Sequence, residues 1–112
     1  MLFRSDIAMQ KLGPGYTFAE TLSEQLQDTI FFVVNARGGT ALERFMKNDN
    51  AGYYEKTLFR IKQALRERPD LKPATIIWHQ GESNRDDYQS YLNHLNTLVA
   101  DLRSDLGIPD LP

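Results

Sequence analysis

Cysteine is absent from the 112 residues of the chain, which excludes disulfide bonds and thiolate metal sites within it. No stretch of about 18 apolar residues exists either, so no membrane-spanning helix is expected. The first ten residues, MLFRSDIAMQ, lack the continuous apolar segment of a signal peptide, and the sequence assigns no compartment. An excess of one charge is also missing, because 13 Lys and Arg residues are scattered among 15 Asp and Glu residues. Without a basic stripe, nucleic acid is not an expected partner.

The apolar content of the chain is sufficient for one small domain. Hydrophobic residues make up 41% of the sequence. A chain of this length buries roughly two thirds of its unfolded surface when it folds. Periodicity predicts the order helix, strand, helix, helix, strand, helix, without repeats or a low-complexity linker.

Two Thr-x-x-Glu patterns predict helix starts. Thr17 and Glu20 form a capping box for a helix that begins near Tyr16. Thr40 and Glu43 form a second capping box, directly before the segment ALERFM. We therefore expect a helix after each pattern.

Two longer amphipathic segments predict the remaining helices. The segment YYEKTLFRIKQALRER has one apolar face and is followed by prolines at positions 69 and 73, which end it. An apolar stripe from Tyr88 to Leu106 predicts a helix of about five turns. Asp86 or Asp87 is its expected cap, and Gly107 is its expected stop.

Two short apolar runs predict strands. IFFVVN, residues 30–35, and TIIWH, residues 75–79, lack polar alternation, as expected of parallel strands covered on both faces. Strands that alternate with helices predict a parallel sheet with right-handed crossovers. The predicted fold class is therefore α/β, with three layers in the order α/β/α and a sheet that is incomplete in this chain.

Two polar stretches follow the predicted strands and precede helices. They are ARGGT, residues 36–40, and HQGES, residues 79–83. Ligands of parallel sheets bind beyond the carboxyl ends of the strands, so we expect both stretches on one edge of the sheet. Backbone N–H groups beside a helix N-terminus favour negative charge, which makes the glycine stretch a candidate cradle for an oxyanion.

A structural role is an alternative for each candidate residue. Gly38 and Gly39 also suit a tight turn that needs positive φ angles. The remaining polar residues also fit solvated or packed positions of no catalytic importance: Gln80, Glu82, His79 and, most simply, His94.

A local catalytic triad and a metal site both fit the sequence poorly. Ser83, His79 and Asp86 provide a nucleophile, a base and an orienting carboxylate by type, but they lie in one short loop without a G-x-S-x-G elbow. The two histidines and the scattered carboxylates show no metal-ligand spacing. No cofactor is expected.

The segments VVNARGGTALERF and IIWHQGESN, with the final LRSDLGIPDLP, resemble the sialate O-acetylesterase and acetylxylan esterase group of carbohydrate esterases. This group belongs to the SGNH, or GDSL-like, hydrolase superfamily, whose flavodoxin-like fold agrees with the predicted sheet. The upstream GPGYTFAETLSEQL also resembles this group, so the resemblance covers nearly the whole chain.

The resemblance implies roles for particular residues. Gly38 or Gly39 matches the glycine block that gives an oxyanion-hole N–H, Gln80 matches the position of the side-chain amide donor, and Glu82 supports the loop. His79 and Arg37 are our candidates for substrate binding. The family's N-terminal serine block and its C-terminal histidine block have no counterpart in residues 1–112, which we therefore expect to form a single partial domain.

These features leave two functional hypotheses, beside a third option of a fragment with no independent role, and they do not establish enzymatic activity for this chain. The first is a fragment of a carbohydrate O-acetylesterase that acts on acetylated sugars of the sialate or xylan type and carries the oxyanion-hole loops. The alternative is a non-catalytic α/β domain that binds a sugar or a small anion, or associates with another chain. Two strands make a poor sheet, so self-association through exposed sheet edges is expected as a hazard.

Overall fold

The structure is a computed structural model that describes residues 14–85 and 87–112. The described residues form two compact units, divided between Ala36 and Arg37. The first unit contains α1 (Pro14–Leu26), which begins with proline because the first residue of a helix needs no N–H donor. The predicted helix start near Tyr16 is thus confirmed to within two residues, but Thr17 lies inside the helix and is not its cap.

The second unit contains the site and most of the core. Its elements are a 3₁₀ helix (Leu42–Phe45), α2 (Tyr53–Glu67) and α3 (Tyr88–Leu106). The two long helices confirm the amphipathic predictions. Asp87 caps α3 by accepting a hydrogen bond from the Ser90 N–H at 2.9 Å, and Gly107 ends it with a φ of 70°. Asp86, the other expected cap, lies outside the described residues.

The core of the second unit joins the 3₁₀ helix to both long helices. Its buried residues are Leu42, Phe45, Tyr54, Leu98 and Leu102. The Phe45 ring meets the Trp78 ring edge to face, with centroids 5.6 Å apart. Segment 75–80 is therefore anchored to the same core as the helices.

The predicted parallel sheet is wrong for the part of the chain that the structure describes. These residues form helices and no strand, apart from an isolated bridge at Val33. A strand exists only where its backbone pairs with a neighbouring strand. In segment 75–79, the Ile76 N–H instead donates to the carbonyl of Pro112 at 2.7 Å. The three-layer α/β/α class is therefore not supported, although TIIWH has the composition of a strand.

Side chains of segment 75–80 alternate between the core and solvent. Ile76 and Trp78 pack against the core, and Gln80 is also half-buried. Ile77 is 50% exposed, and His79 is exposed. The segment is therefore covered on one face, whereas its uniform apolar composition predicted cover on both. This alternation turns Gln80 inward and leaves His79 outside.

The second predicted capping box is also wrong. Ala41, not Thr40, precedes the 3₁₀ helix, and no side chain of the flanking residue caps it. Thr40 Oγ1 donates to the Gly38 carbonyl at 3.3 Å, and the Glu43 carboxylate accepts from Asn84. The segment ALERFM consequently forms one short turn, and its polar side chains are committed to contacts with other segments.

Candidate functional site

The two polar stretches predicted to converge do meet in the structure. Gln80 Nε2 donates to the Thr40 carbonyl at 3.0 Å. The Leu42 N–H donates to Asn84 Oδ1 at 2.9 Å. ARGGT and HQGES are therefore in contact through a side-chain hydrogen bond, but the predicted common edge of a sheet is wrong, because the described residues form no sheet.

Asn84 lies at the centre of this contact. Its Oδ1 accepts from Leu42 N–H and also from Gln80 Nε2 at 2.8 Å. Its Nδ2 donates to both carboxylate oxygens of Glu43, at 3.1 and 2.9 Å. A backbone N–H can only donate and a carboxylate can only accept, so these partners fix the orientation of the Asn84 amide. The atom of Gln80 that faces Asn84 Oδ1 must then be its nitrogen.

Both amide protons of the Gln80 side chain form hydrogen bonds, whereas its oxygen, Oε1, accepts none from the described residues. Nε2 donates to Thr40 and to Asn84, while Oε1 is buried without a hydrogen-bond partner among the described residues. Leaving a buried acceptor unpaired costs about 1 to 3 kcal/mol. In the described residues, the Gln80 carboxamide is therefore fixed through its nitrogen, while its oxygen lacks a hydrogen bond.

The backbone of Gln80 is held from behind by two aromatic side chains. Trp78 Nε1 donates to the Tyr91 hydroxyl at 2.9 Å, and that hydroxyl donates to the Gln80 carbonyl at 2.6 Å. A shallow cleft of about 270 Å³ opens beside this loop; it is lined by Gln80, Gly81, Asn84, Arg85, Tyr88, Tyr91 and Leu92. Trp78 of segment 75–80 and Tyr91 of α3 thus hold the backbone of Gln80 together.

Glu43 is the charged member of the group. The hydrogen bond from Asn84, helped by its own backbone N–H and by His94, lowers the pKa of the Glu43 carboxyl below its ordinary value. His94 Nδ1 lies 3.4 Å from Glu43 Oε1 but outside hydrogen-bond geometry, so their contact is electrostatic and depends on protonation of the imidazole. At neutral pH, Glu43 is therefore an anion that can hold Asn84.

Gly38 and Gly39 form an exposed turn at the start of this region. Gly39 has a φ of 65°, a conformation that other residues adopt only with strain. The positive φ angle of the turn is a sufficient structural reason for glycine at position 39. The N–H groups of Gly38 and Gly39 have no recorded acceptor in the described residues.

The remaining candidates lie at the periphery of this contact. Glu82 Oε2 accepts from the Gly81 N–H at 3.1 Å, and backbone N–H groups of this loop lower the pKa of the Glu82 carboxyl. His79 and Arg37 are exposed. In the described part of the chain, no recorded hydrogen bond joins any of these three side chains to Gln80 or to the glycine turn. Their predicted roles stay predictions.

Sequence reasoning missed Asn84 and misassigned Glu43. It assigned no role to Asn84, whose N–H donates to the Gly81 carbonyl at 3.0 Å. The one available signal was the spacing of four residues between Gln80 and Asn84 across a glycine. Nothing in the sequence linked Asn84 to Glu43, which lies 41 residues earlier.

The described residues show neither a metal-binding cluster nor a membrane-spanning helix. Residues 14–85 and 87–112 contain no group of three His, Asp or Glu side chains suited to a metal ion. In the same ranges, none of the helices has the length and hydropathy needed to cross a membrane.

Comparisons with known proteins identify a family and similar chains. A family model described as "Carbohydrate esterase, sialic acid-specific acetylesterase" matches residues 2–112. A "Probable carbohydrate esterase" of Arabidopsis thaliana is 32% identical over 107 residues, which are 90% of this chain and 40% of that protein. The X-ray structure of a protein from Arabidopsis thaliana, at 1.6 Å resolution, matches with a TM-score of 0.81 at 32% identity.

That solved structure is matched over 96% of this chain and 46% of its own length. The chain therefore spans less than half the length of the relatives it matches. The resemblance to carbohydrate esterases, first carried by the glycine stretch and HQGES, is confirmed at the level of the family. Its match to the family model extends through both stretches and all of the described residues, and the chain belongs to this carbohydrate esterase family.

Proposed function

We propose that this chain provides the oxyanion side of the active site in an esterase that removes acetyl groups from carbohydrates. The observation that carries the proposal is the 3.0 Å hydrogen bond between Gln80 Nε2 and the Thr40 carbonyl, which joins the glycine turn to the HQGES loop. Family membership supports the reaction class. The joined loops support the location of the site.

The glycine turn is the proposed source of backbone donors. Hydrolysis of an ester passes through a tetrahedral intermediate with a negative oxygen, and donors placed for that oxygen lower the barrier more than they stabilise the planar ester. The N–H groups of Gly38 and Gly39 have no recorded acceptor in the described residues, so they need not give up a bond to serve this role.

Gln80 is the proposed side-chain donor, and it must exchange one hydrogen bond to act. A charged acceptor forms a hydrogen bond roughly twice as strong as a neutral one, so an oxyanion can replace the Thr40 carbonyl at Nε2. The second bond, to Asn84, is retained during this exchange. Gln80 then contributes mainly in the transition state, where the negative charge is present.

The substrate of the proposed reaction is an acetyl ester on a sugar, of the sialate or xylan type. Glu82 keeps the loop in shape through its contact with the Gly81 N–H. His79 and Arg37, both exposed, are the proposed contacts to the carbohydrate. The attacking serine and the histidine base are expected from segments that residues 1–112 do not include.

One experiment compares two proteins. A longer protein that joins residues 1–112 to the serine and histidine blocks should release acetate from O-acetylated sialic acid or from acetylated xylo-oligosaccharides. The 112-residue chain alone should not, because oxyanion donors without a nucleophile and a complete site do not orient the ester for attack. Ser83→Ala in the longer protein is the control for a nucleophile within the HQGES loop. It should leave turnover unchanged, because Ser83 is exposed and has no assigned role.

Two results would contradict the proposal. If the longer protein binds acetylated sugars without releasing acetate, the alternative of a non-catalytic binding domain replaces the esterase. If Ser83→Ala abolishes turnover, the local arrangement of Ser83 and His79 supplies the nucleophile, and the division of the site between segments is wrong.

A further inference from the structure

We infer that Asn84 is a positioning residue that sets which end of the Gln80 carboxamide faces the glycine turn. The effect of this role on turnover rests on the proposed function, but the positioning itself is a property of the 112-residue chain. Asn84 Oδ1 accepts from Gln80 Nε2 at 2.8 Å, the shorter of the two hydrogen bonds that Nε2 makes. Asn84 therefore contacts the donor atom that the oxyanion role requires.

Asn84 binds both loops. The 3₁₀ helix receives no side-chain cap from its flanking residue Ala41, and its first N–H, from Leu42, donates to Asn84 Oδ1. An oxygen that is 42 residues away in sequence thus serves as the cap. The same atom receives Gln80, so the position of the helix start and the orientation of the carboxamide are set together.

The partners of Asn84 prevent reversal of its own amide. Glu43 accepts from Nδ2 through both carboxylate oxygens, and reversal would place Asn84 Oδ1 against that carboxylate. Reversal would also place an NH₂ group against the Leu42 N–H, which can only donate. Glu43 and Leu42 therefore fix Asn84, and Asn84 in turn fixes Gln80.

Few other contacts determine the orientation of Gln80. Its Oε1 has no partner among the described residues that would be lost on reversal. Apart from Asn84, the Thr40 carbonyl is the only recorded partner in residues 14–85 and 87–112 that opposes reversal of the carboxamide. A reversed carboxamide would present an acceptor to the glycine turn, where the proposed reaction needs a donor.

The test uses nuclear magnetic resonance of the 112-residue chain, with the Gln80 side-chain NH₂ as the probe. Asn84→Ala should speed hydrogen exchange of one of the two Nε2 protons by about 2- to 10-fold, the range expected for the loss of one ordinary hydrogen bond. The resonance of that proton should also shift. A merely structural role would lower the unfolding midpoint without a selective change at this amide.

Asn93→Ala is the matched control. Gln89 Nε2 donates to Asn93 Oδ1 at 3.1 Å, so the chain contains a second Gln–Asn pair with the same spacing of four residues, exposed on α3. Asn93→Ala should change the Gln89 amide and leave the Gln80 amide unchanged. Equal changes of the Gln80 amide in Asn84→Ala and Asn93→Ala would overturn the inference.

Asn84→Asp is the conservative variant, and it adds a pH dependence. The titratable side chains that face position 84 are Glu43 from the 3₁₀ helix and His94 near it on α3, while Glu82 and Arg85 belong to the same loop. The new carboxylate would face Glu43, and two adjacent carboxylates retain a shared proton, which raises one of their pKa values.

The Gln80 amide of Asn84→Asp should therefore resemble wild type at about pH 4 and become less protected by about pH 7, as the shared proton is lost. Rescue at low pH supports positioning by Asn84. A Gln80 amide that loses as much protection at about pH 4 as at about pH 7 would overturn the inference. Neither readout requires turnover. The positioning role of Asn84 can therefore be confirmed or refuted even if the esterase proposal fails.

Discussion

Two polar clusters of the second unit connect distant segments in different ways. In the first, Tyr54 donates from its hydroxyl to Asp105 at 2.7 Å, and the Lys47 ammonium lies 2.9 Å from the same carboxylate. In the second, Asn84 joins Gln80 to Glu43. The first cluster links α2 to α3, and the second links two loops.

The clusters differ in how completely their polar atoms are paired. Lys47 and Tyr54 lower the pKa of Asp105, and Tyr54 is only 2% exposed. The second cluster leaves Gln80 Oε1 buried and unpaired in the described part of the chain. A fully paired cluster stabilises the fold, whereas an unpaired buried acceptor needs a separate explanation. We therefore attribute the first cluster to the fold, and the second is the one that the proposed function concerns.

Leu42→Ala should have the largest effect on stability, because Leu42 belongs to both regions. Its side chain is 0% exposed in the core, and its N–H donates to Asn84. We expect a loss of about 2 to 5 kcal/mol in the free energy of unfolding, measured by urea denaturation. Leu26→Ala makes the same change at a side chain that is 61% exposed, and should cost about 0.5 kcal/mol or less. Equal losses would show that Leu42 is not a core residue.

Tyr54→Phe should have an intermediate effect and sharpen the contrast between the clusters. It removes one hydrogen bond to a charged group, so we expect the free energy of unfolding to fall by about 1.5 kcal/mol. The Gln80 side-chain amide should keep its resonances, because the two clusters share no residue. Tyr16→Phe, at a tyrosine that is 51% exposed in the first unit, is the control and should change neither quantity. A shift of the Gln80 amide in Tyr54→Phe would break the separation of the clusters.

Glu43→Gln should have the smallest effect, and one that depends on pH. Since the folded-state pKa of Glu43 is lowered, its contribution to stability is present above the ordinary carboxyl pKa and is lost as pH falls through the folded value. The carboxylate is 45% exposed, so solvent screening keeps the contribution below about 1 kcal/mol. The difference in unfolding midpoint between wild type and Glu43→Gln should shrink between about pH 6 and pH 3. A constant difference would mean that the Glu43 charge does not hold Asn84.

The sequence was sufficient for the long helices and insufficient for the sheet. Asp87, Gly107 and the apolar stripe between them act locally, so α3 could be predicted nearly to the residue. TIIWH has the composition of a strand, but strand formation depends on a partner that composition does not supply. In the described residues, Ile76 bonds to the chain end at Pro112 and not to a strand.

Contacts of the candidate site were likewise hard to predict where they join residues that are distant in the sequence. The contact between the glycine turn and HQGES was expected from a common sheet edge, which the described residues do not form; the hydrogen bond from Gln80 Nε2 to the Thr40 carbonyl produces it instead. The use of Asn84 as a cap for a turn 42 residues away was not predictable, because the sequence does not show which distant N–H lacks a local partner. Glu43 was misassigned for the same reason, since its local pattern indicated a capping box that its distant contact replaces.

The central claim is that Gln80 serves the reaction, and its most direct test is the turnover of Gln80→Ala in a longer protein that includes the serine and histidine blocks. Loss of one oxyanion donor should lower kcat by about 10²- to 10³-fold, or about 2.7 to 4 kcal/mol, and leave KM nearly unchanged. Gln80→Glu should be at least as harmful, because it places a negative charge where the oxyanion forms. An unchanged kcat with a raised KM would contradict the claim, make Gln80 a ground-state binding residue, and leave the oxyanion to the backbone of Gly38 and Gly39.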